Sequence, residues 1–264
     1  MRTRLALITL LTAAILLSGC RAPGSAVPPS ETPQPAANAA CNELSFYLNP
    51  ALGSGIECET IPESTNPEHP SYYVFVYPAH TELTIQNYPL VKTQFPPRIW
   101  VYPVSRFSEL LPNILPPRIA DLQKLIADRT WNGGVLPFLP AILEEQTFYS
   151  HIDFISFAGG RGVRFITQYS EGPNPISNQN IIYTFQGLTE DGRYWVAVTL
   201  PVNSPLLPAS YDMLPEGYTQ ESLMLNYSSY VQDVKEALEA QAPDSFYPAI
   251  DSLDNLVKNI TINP

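Results

Sequence analysis

Asp191-Gly192 separates two runs of alternating residues, and a dipeptide of that kind between such runs commits the chain to an antiparallel hairpin. Both turn positions tolerate positive φ. Beyond the turn, Tyr194, Val196, Val198 and Leu200 share one face of a strand over 193–200, with 181–188 as its partner. Residues 162–169 alternate in the same way. Val163, Phe165, Thr167 and Tyr169 lie on one side, Arg164, Ile166 and Gln168 on the other. A strand over 152–157 precedes them through a turn at Ala158-Gly159-Gly160. Three or four consecutive antiparallel strands follow.

The flanking segments add strands and helices. Tyr72-Tyr73-Val74-Phe75-Val76-Tyr77, stopped by Pro78, reads as a strand, with Leu83 to Ile85 as a short partner. Ile99-Trp100-Val101-Tyr102 reads as another, and its flanking Pro97 and Pro103 favour a sheet edge or the strand ends. Pro117 stands where a helix begins, and Ile119, Leu122 and Ile126 give it one apolar face to about Arg129. Leu223, Tyr227, Tyr230, Val231, Val234 and Leu238 predict a helix over about 219–240. Ile250, Leu253, Val257 and Ile260 predict a shorter one from near Pro248. Strands, helix, meander and helices in that order suit an α+β domain whose antiparallel sheet is covered by helices. The 28 prolines, 23 of them after residue 40, likewise favour strands joined by rigid loops over a helical bundle.

At the N-terminus, Arg2 and Arg4 precede an apolar run from Leu5 to Leu17, which is short for the roughly 20 residues that a membrane span needs. The run ends in Leu17-Ser18-Gly19-Cys20, which resembles the bacterial lipobox. That resemblance implies a signal peptide over 1–19, a lipid on the Cys20 sulfur, and attachment to the cell membrane on its extracytoplasmic side. Stable anchoring takes more than one acyl chain, so a multiply acylated N-terminus is implied. Residues 21–40 are rich in Pro, Ala and Ser without apolar periodicity and read as a tether. Residues 41–264 are then a single globular domain. With Cys20 acylated, Cys41 and Cys58 remain as an even pair in an oxidising compartment and are expected to form a disulfide. A zinc site lacks further Cys or His at ligand spacing.

Charge excludes some partners. The formal net charge is −11, and −13 once Arg2 and Arg4 are removed, which argues against nucleic acid and against electrostatic binding to anionic lipid. The membrane is expected as a partner through the N-terminal lipid, with an envelope protein as a further one.

Three stretches resemble the PsbP-like fold, an α/β/α sandwich. They are Gly162-Val163-Arg164-Phe165, the hairpin through Asp191-Gly192-Arg193-Tyr194-Trp195, and Phe246-Tyr247-Pro248 with Leu253-Asp254-Asn255-Leu256-Val257. The resemblance covers roughly the last 115 residues. The segment 162–201 also resembles uncharacterised exported bacterial proteins. The PsbP-like resemblance implies an assembly factor or binding subunit, and neither brings a catalytic motif or a cofactor.

Candidate chemistry is sparse. His69, His80 and His151 are the three histidines, and no Ser stands in a G-x-S-x-G elbow. His151 and Asp153 project on one face of the predicted strand, the one arrangement suited to general-base work. Asp251 and Asp254 lie at i, i+3 on a helix. Glu144-Glu145 and Glu190-Asp191 are adjacent pairs that converge on an ion only if a loop folds them back. No catalytic or metal-ligating set and no cofactor is therefore expected. The candidate binding surface is Arg161, Arg164 and Gln168, placed opposite Val163 and Phe165, with Tyr183 and Tyr194 on neighbouring strands. The expected function is a lipid-anchored binding or assembly module; an envelope-acting hydrolase and a small-ligand carrier or sensor are the alternatives.

Overall fold

A computed structural model describes residues 35–65, 72–92, 94–131 and 133–263. The expected signal peptide, Cys20, most of the tether and His69 lie outside these residues. In chain order the strands and helices are β1 (Ala39–Cys41), β2 (Leu44–Phe46), β3 (Gly55–Ile61), β4 (His80–Gln86), β5 (Arg98–Pro103), α1 (Val104–Leu110) and α2 (Leu115–Asp128). They continue with β6 (Glu145–Phe157), β7 (Gly160–Ser170), β8 (Ile182–Thr189), β9 (Tyr194–Pro201), α3 (Gln220–Leu225), α4 (Tyr227–Glu239), α5 (Ile250–Lys258) and β10 (Thr261–Ile262).

The predicted meander forms four strands of a seven-stranded antiparallel sheet ordered β3-β4-β5-β9-β8-β7-β6, and β1, β2 and β10 make a separate three-stranded sheet. The fold is α+β. Alternation sorts the side chains between two cores. Val163, Phe165, Trp195, Ala197 and Trp100 pack with α1 and α2. Ile166, Tyr183, Phe185, Val196 and Val198 pack with α3, α4, α5 and the small sheet on the other face. An antiparallel sheet commonly leaves one face in water. Here helices cover both, so nearly every residue of β7, β8 and β9 is buried.

Three glycines let aromatic rings pack closely against the sheet on the α5 side. A Cβ on Gly162 would stand 2.4 Å from the Gln186 carbonyl oxygen and 2.5 Å from the Phe185 ring. Gly187, directly across from Gly162, and Gly160, beneath Phe157, are equally tight. A bulge in β6 between Ser150 and Asp153, with His151 at φ 50°, shifts the strand's alternation. Phe148, Ile155 and Phe157 thereby face the same core.

The expected disulfide is present: Cys41 and Cys58 are bonded, tying β1 to edge strand β3. By loop entropy a 17-residue separation contributes about 3 kcal/mol. The Asn42 amide donates to Thr60 and Thr81 nearby, satisfying side chains along the same edge.

Several local expectations are corrected. The aromatic run at 72–77 is no strand. Tyr72–Val74 is a 3-10 turn, and Tyr77 alone pairs, with Ser64. β4 already has β3 and β5 on its two edges, so Val76, Tyr73 and Tyr77 pack over the sheet instead. β5 is interior, between β4 and β9, and its prolines sit at its ends. The helix expected over 219–240 is two helices broken at Asn226, whose side-chain amide donates to the Ser222 carbonyl and competes with the helical ladder. α2 begins at Leu115, because prolines in a first turn forfeit no helical hydrogen bond.

Candidate functional site

The residues expected to form a binding surface do not form one. Arg164, Gln168 and Tyr183 are buried. The Arg164 guanidinium donates to Asp254 of α5 through Nε, 3.1 Å from Oδ1, and to the His151 carbonyl through Nη1. Tyr183 donates to the same Asp254 Oδ1 at 2.9 Å. Gln168 holds the loop after β7, donating to the Pro175 carbonyl and accepting from the Ser177 amide. These polar side chains sit under α4 and α5, which the strand pattern alone does not reveal. Arg161 shares the parity of Val163 and turns to the α2 side, where it lines a small cleft with Gln123 and Ile126. Half-buried Tyr194 lines a different cleft, on the other side of the β8–β9 turn.

The histidine–acid arrangement dissolves in the same way. The bulge separates His151 from Asp153. The His151 ring turns inward, with Nε2 3.1 Å from the Gln241 carbonyl and Phe246 edge-on at 5.0 Å. Asp153 stays half exposed, 3.8 Å from Arg164. His80 is wedged between Tyr77 and Tyr102 with Nδ1 2.8 Å from the Pro78 carbonyl, and burial lowers its pKa. Both histidines serve the packing. Among the described residues no group of His, Cys, Asp and Glu is placed to hold a metal ion, and no helix is long and apolar enough to cross a membrane.

A larger cleft than those beside Arg161 and Tyr194 lies between α2 and the start of β6. A cleft of about 660 Å³ is walled by the segment 135–146, by Arg118 and Asp121 of α2, and by Tyr73 and Tyr169. Among its described residues the segment crossing from α2 to β6 has no regular secondary structure, and it is pinned by two side-chain amides, Gln186 buried and Gln146 half-buried. Gln186 Oε1 accepts from the Leu139 amide at 3.1 Å and from Trp195 Nε1 at 2.8 Å, while Gln186 Nε2 donates back to the Leu139 carbonyl at 3.0 Å. Gln146 accepts from the Leu136 amide through Oε1 and donates through Nε2 to Thr167 and Tyr169. Phe138 and Tyr169 stack at 4.6 Å and form the floor with Phe95 behind them. Burial pushes the Tyr169 phenol well above its usual pKa, against the opposing pulls of the Gln146 amide and the Arg118 charge. The phenol therefore stays neutral and accepts from the Gln146 amide at the base of the cleft.

The rim carries one guanidinium, Arg118, and three carboxylates, Asp121, Glu144 and Glu145. Glu144-Glu145 is thus brought to a site by its loop, together with an acid from another element. Arg118, Asp121, Gln146 and Tyr169 did not stand out in the sequence. A signal was present, however. The sixteen residues 129–144 join a helix to a strand with Gly133-Gly134 and two prolines, and connections that long in a compact domain are usually functional.

The fold and this cleft together define an α+β domain with helices on both faces of an antiparallel sheet and a lined cleft at one flank. No family model, curated protein or solved structure matches the chain.

Proposed function

We propose that this protein is a lipid-anchored, extracytoplasmic binding module without catalytic activity, held to the cell membrane through Cys20 and taking its ligand in the cleft between α2 and β6. One observation carries the binding role: an opening of about 660 Å³ combines an apolar floor with a few convergent polar groups. Cavities of roughly 300–1,000 Å³ with that mixture are the usual ligand sites. The bonded Cys41–Cys58 pair supports an oxidising compartment. Helices on both faces of the sheet support the PsbP-like reading of the fold. The test is thermal-shift screening of the mature, acylated protein in detergent against envelope-derived metabolites. A ligand should stabilise the wild type and lose its effect in Arg118→Ala and Tyr169→Phe. A screen without any stabilising compound removes the reading.

The second reading is an envelope-acting hydrolase, favoured by Asp121, Glu144 and Glu145 lining one cleft. Turnover of a glycoside or ester panel that disappears in Glu145→Gln would establish it and displace the first.

A further inference from the structure

Large exposed apolar side chains crowd into one part of the chain. Leu206, Tyr211, Met213 and Leu214 fall on the loop after β9, and Met224 and Leu225 on α3, with Leu225 77% and Met213 53% exposed. On α3 the neighbouring Leu223 is buried in the core, so the core does not need the two residues that follow it. A loose surface loop does not account for the arrangement, because this stretch is tied down. Asn178 Nδ2 donates to the carbonyls of Ser204 and Leu207, Ser210 donates to Gln179, and a capping box at Thr219 starts α3. Six of the eleven large apolar side chains that stand exposed among the described residues fall on this one stretch, a concentration that marks an interaction site.

Two observations say what it meets. First, the chain enters the fold at the same end of the large sheet. Asn38 is bonded to the backbone of Leu48 through both its amide atoms, Ser54 to Gln86, and Tyr88 to the Pro201 carbonyl at the end of β9. The apolar stretch begins five residues after Pro201. Asn38 follows Cys20 by eighteen positions, which an extended chain spans in at most about 60 Å. Acyl chains on Cys20 are therefore tethered to the domain at this end, within about 60 Å of Asn38. Second, no Lys or Arg occurs between Arg193 and Lys235. The stretch offers nothing to anionic headgroups and carries Asp212, Glu216 and Glu221 among its apolar residues. It therefore fits the boundary of an uncharged or zwitterionic bilayer, where apolar side chains sink roughly 5–10 Å beneath the headgroups.

We infer that the loop over 206–214 together with α3 is a membrane-docking surface, which seats the domain on a zwitterionic bilayer with the β8–β9 turn pointing away. The inference rests on the anchored reading above.

The test uses the mature acylated protein in phosphatidylcholine vesicles containing doxyl-labelled lipid, with a fluorophore on Met213→Cys, on Leu225→Cys, or on Glu190→Cys at the far end. Quenching at 213 and 225 should exceed that at 190 at least threefold, and Leu214→Asp should abolish the difference. Equal quenching at all three positions overturns the inference. So does a dimer in detergent, seen by analytical ultracentrifugation, that Leu214→Asp dissociates, since a second copy then covers the face. Mass measurement of the mature N-terminus tests the anchor separately. An unacylated chain whose probes at 213 and 225 are still quenched on added vesicles loses the anchor and keeps the docking surface.

Discussion

Removing the Asp254 carboxylate should be among the most damaging single changes in the domain, although it lies in no cleft. Its partner Arg164 has a side chain 8% exposed, and Asp254 itself is 6% exposed. The two meet at 3.1 Å, and Tyr183, fully buried, donates to the same carboxylate at 2.9 Å. Asp254→Ala leaves the guanidinium with the His151 carbonyl and with half-exposed Asp153 at 3.8 Å, and leaves the Tyr183 hydroxyl without its acceptor. Breaking a buried pair by deleting one member costs about 3–5 kcal/mol, and an orphaned buried hydroxyl about 1–3 kcal/mol. The two penalties overlap, and Asp153 can compensate in part, so a loss of about 4 kcal/mol is expected. In a domain of this size that lowers the melting temperature by roughly 8–16 °C. Asp254→Asn, which still accepts from Tyr183, should cost about half as much. The double variant Arg164→Met, Asp254→Leu should be far less damaged than the sum of its parts, because no uncompensated charge remains. Urea unfolding at pH 7 measures these proteins and the single variants Arg164→Met and Asp254→Leu, with Asp251→Ala on the exposed face of α5 as the control, expected within about 0.5 kcal/mol of wild type. A loss below about 1 kcal/mol for Asp254→Ala, or additivity in the double variant, would refute the claim that burial makes this pair critical.

Other changes test the remaining features. Gln186→Leu deprives both backbone groups of Leu139 of their partner; it should cost about 2–3 kcal/mol and raise hydrogen exchange across 135–140, which amide exchange mass spectrometry reads directly. Gly162→Ala drives a Cβ to 2.4 Å from a backbone oxygen that cannot step aside, and should cost about 3 kcal/mol by urea unfolding, whereas half-buried Gly172, with nothing near its Cβ position, should tolerate Ala. Lys92 donates to the carbonyls of Ile181 and Val202 at the open ends of β8 and β9, and burial pulls its pKa down to about 7. Between that value and the unfolded one near 10.4 the unfolded chain holds the extra proton, so stability should rise from pH 7 to 10, and Lys92→Met should remove the rise. Above pH 10 the sign reverses, because buried Tyr88, Tyr102, Tyr169 and Tyr183 keep their protons in the fold while the unfolded chain loses them. Melting curves across pH 7–11 for wild type and Lys92→Met check both directions.

Where local chemistry is decisive, the residues alone are enough to read the structure. Asp191-Gly192 and its flanking alternation specify a hairpin whatever surrounds it, because turn geometry and a period of two are properties of the backbone itself. The same holds for the apolar stripes of α2 and α5 and for the two cysteines left as a pair. Local pattern fails where one sequence motif has two tertiary uses. The aromatic run at 72–77 has strand composition, yet no sheet edge is open to it, and it becomes part of the cover. Arg164, Gln168 and Gln186 occupy positions that alternation marks as polar. Whether such positions face water or a helix depends on α2, α4 and α5, which arrive from 36 or more residues away along the chain. The cleft is a product of the same distance. Arg118 and Asp121 are unremarkable on a helix, and Gln146 and Tyr169 are unremarkable on strands, until the loop over 129–144 is fastened across the sheet by Gln186. Strand, turn and helix were thus determined by short-range sterics and periodicity, while burial, pairing and the site itself were decided by which faces the folded chain brings into contact.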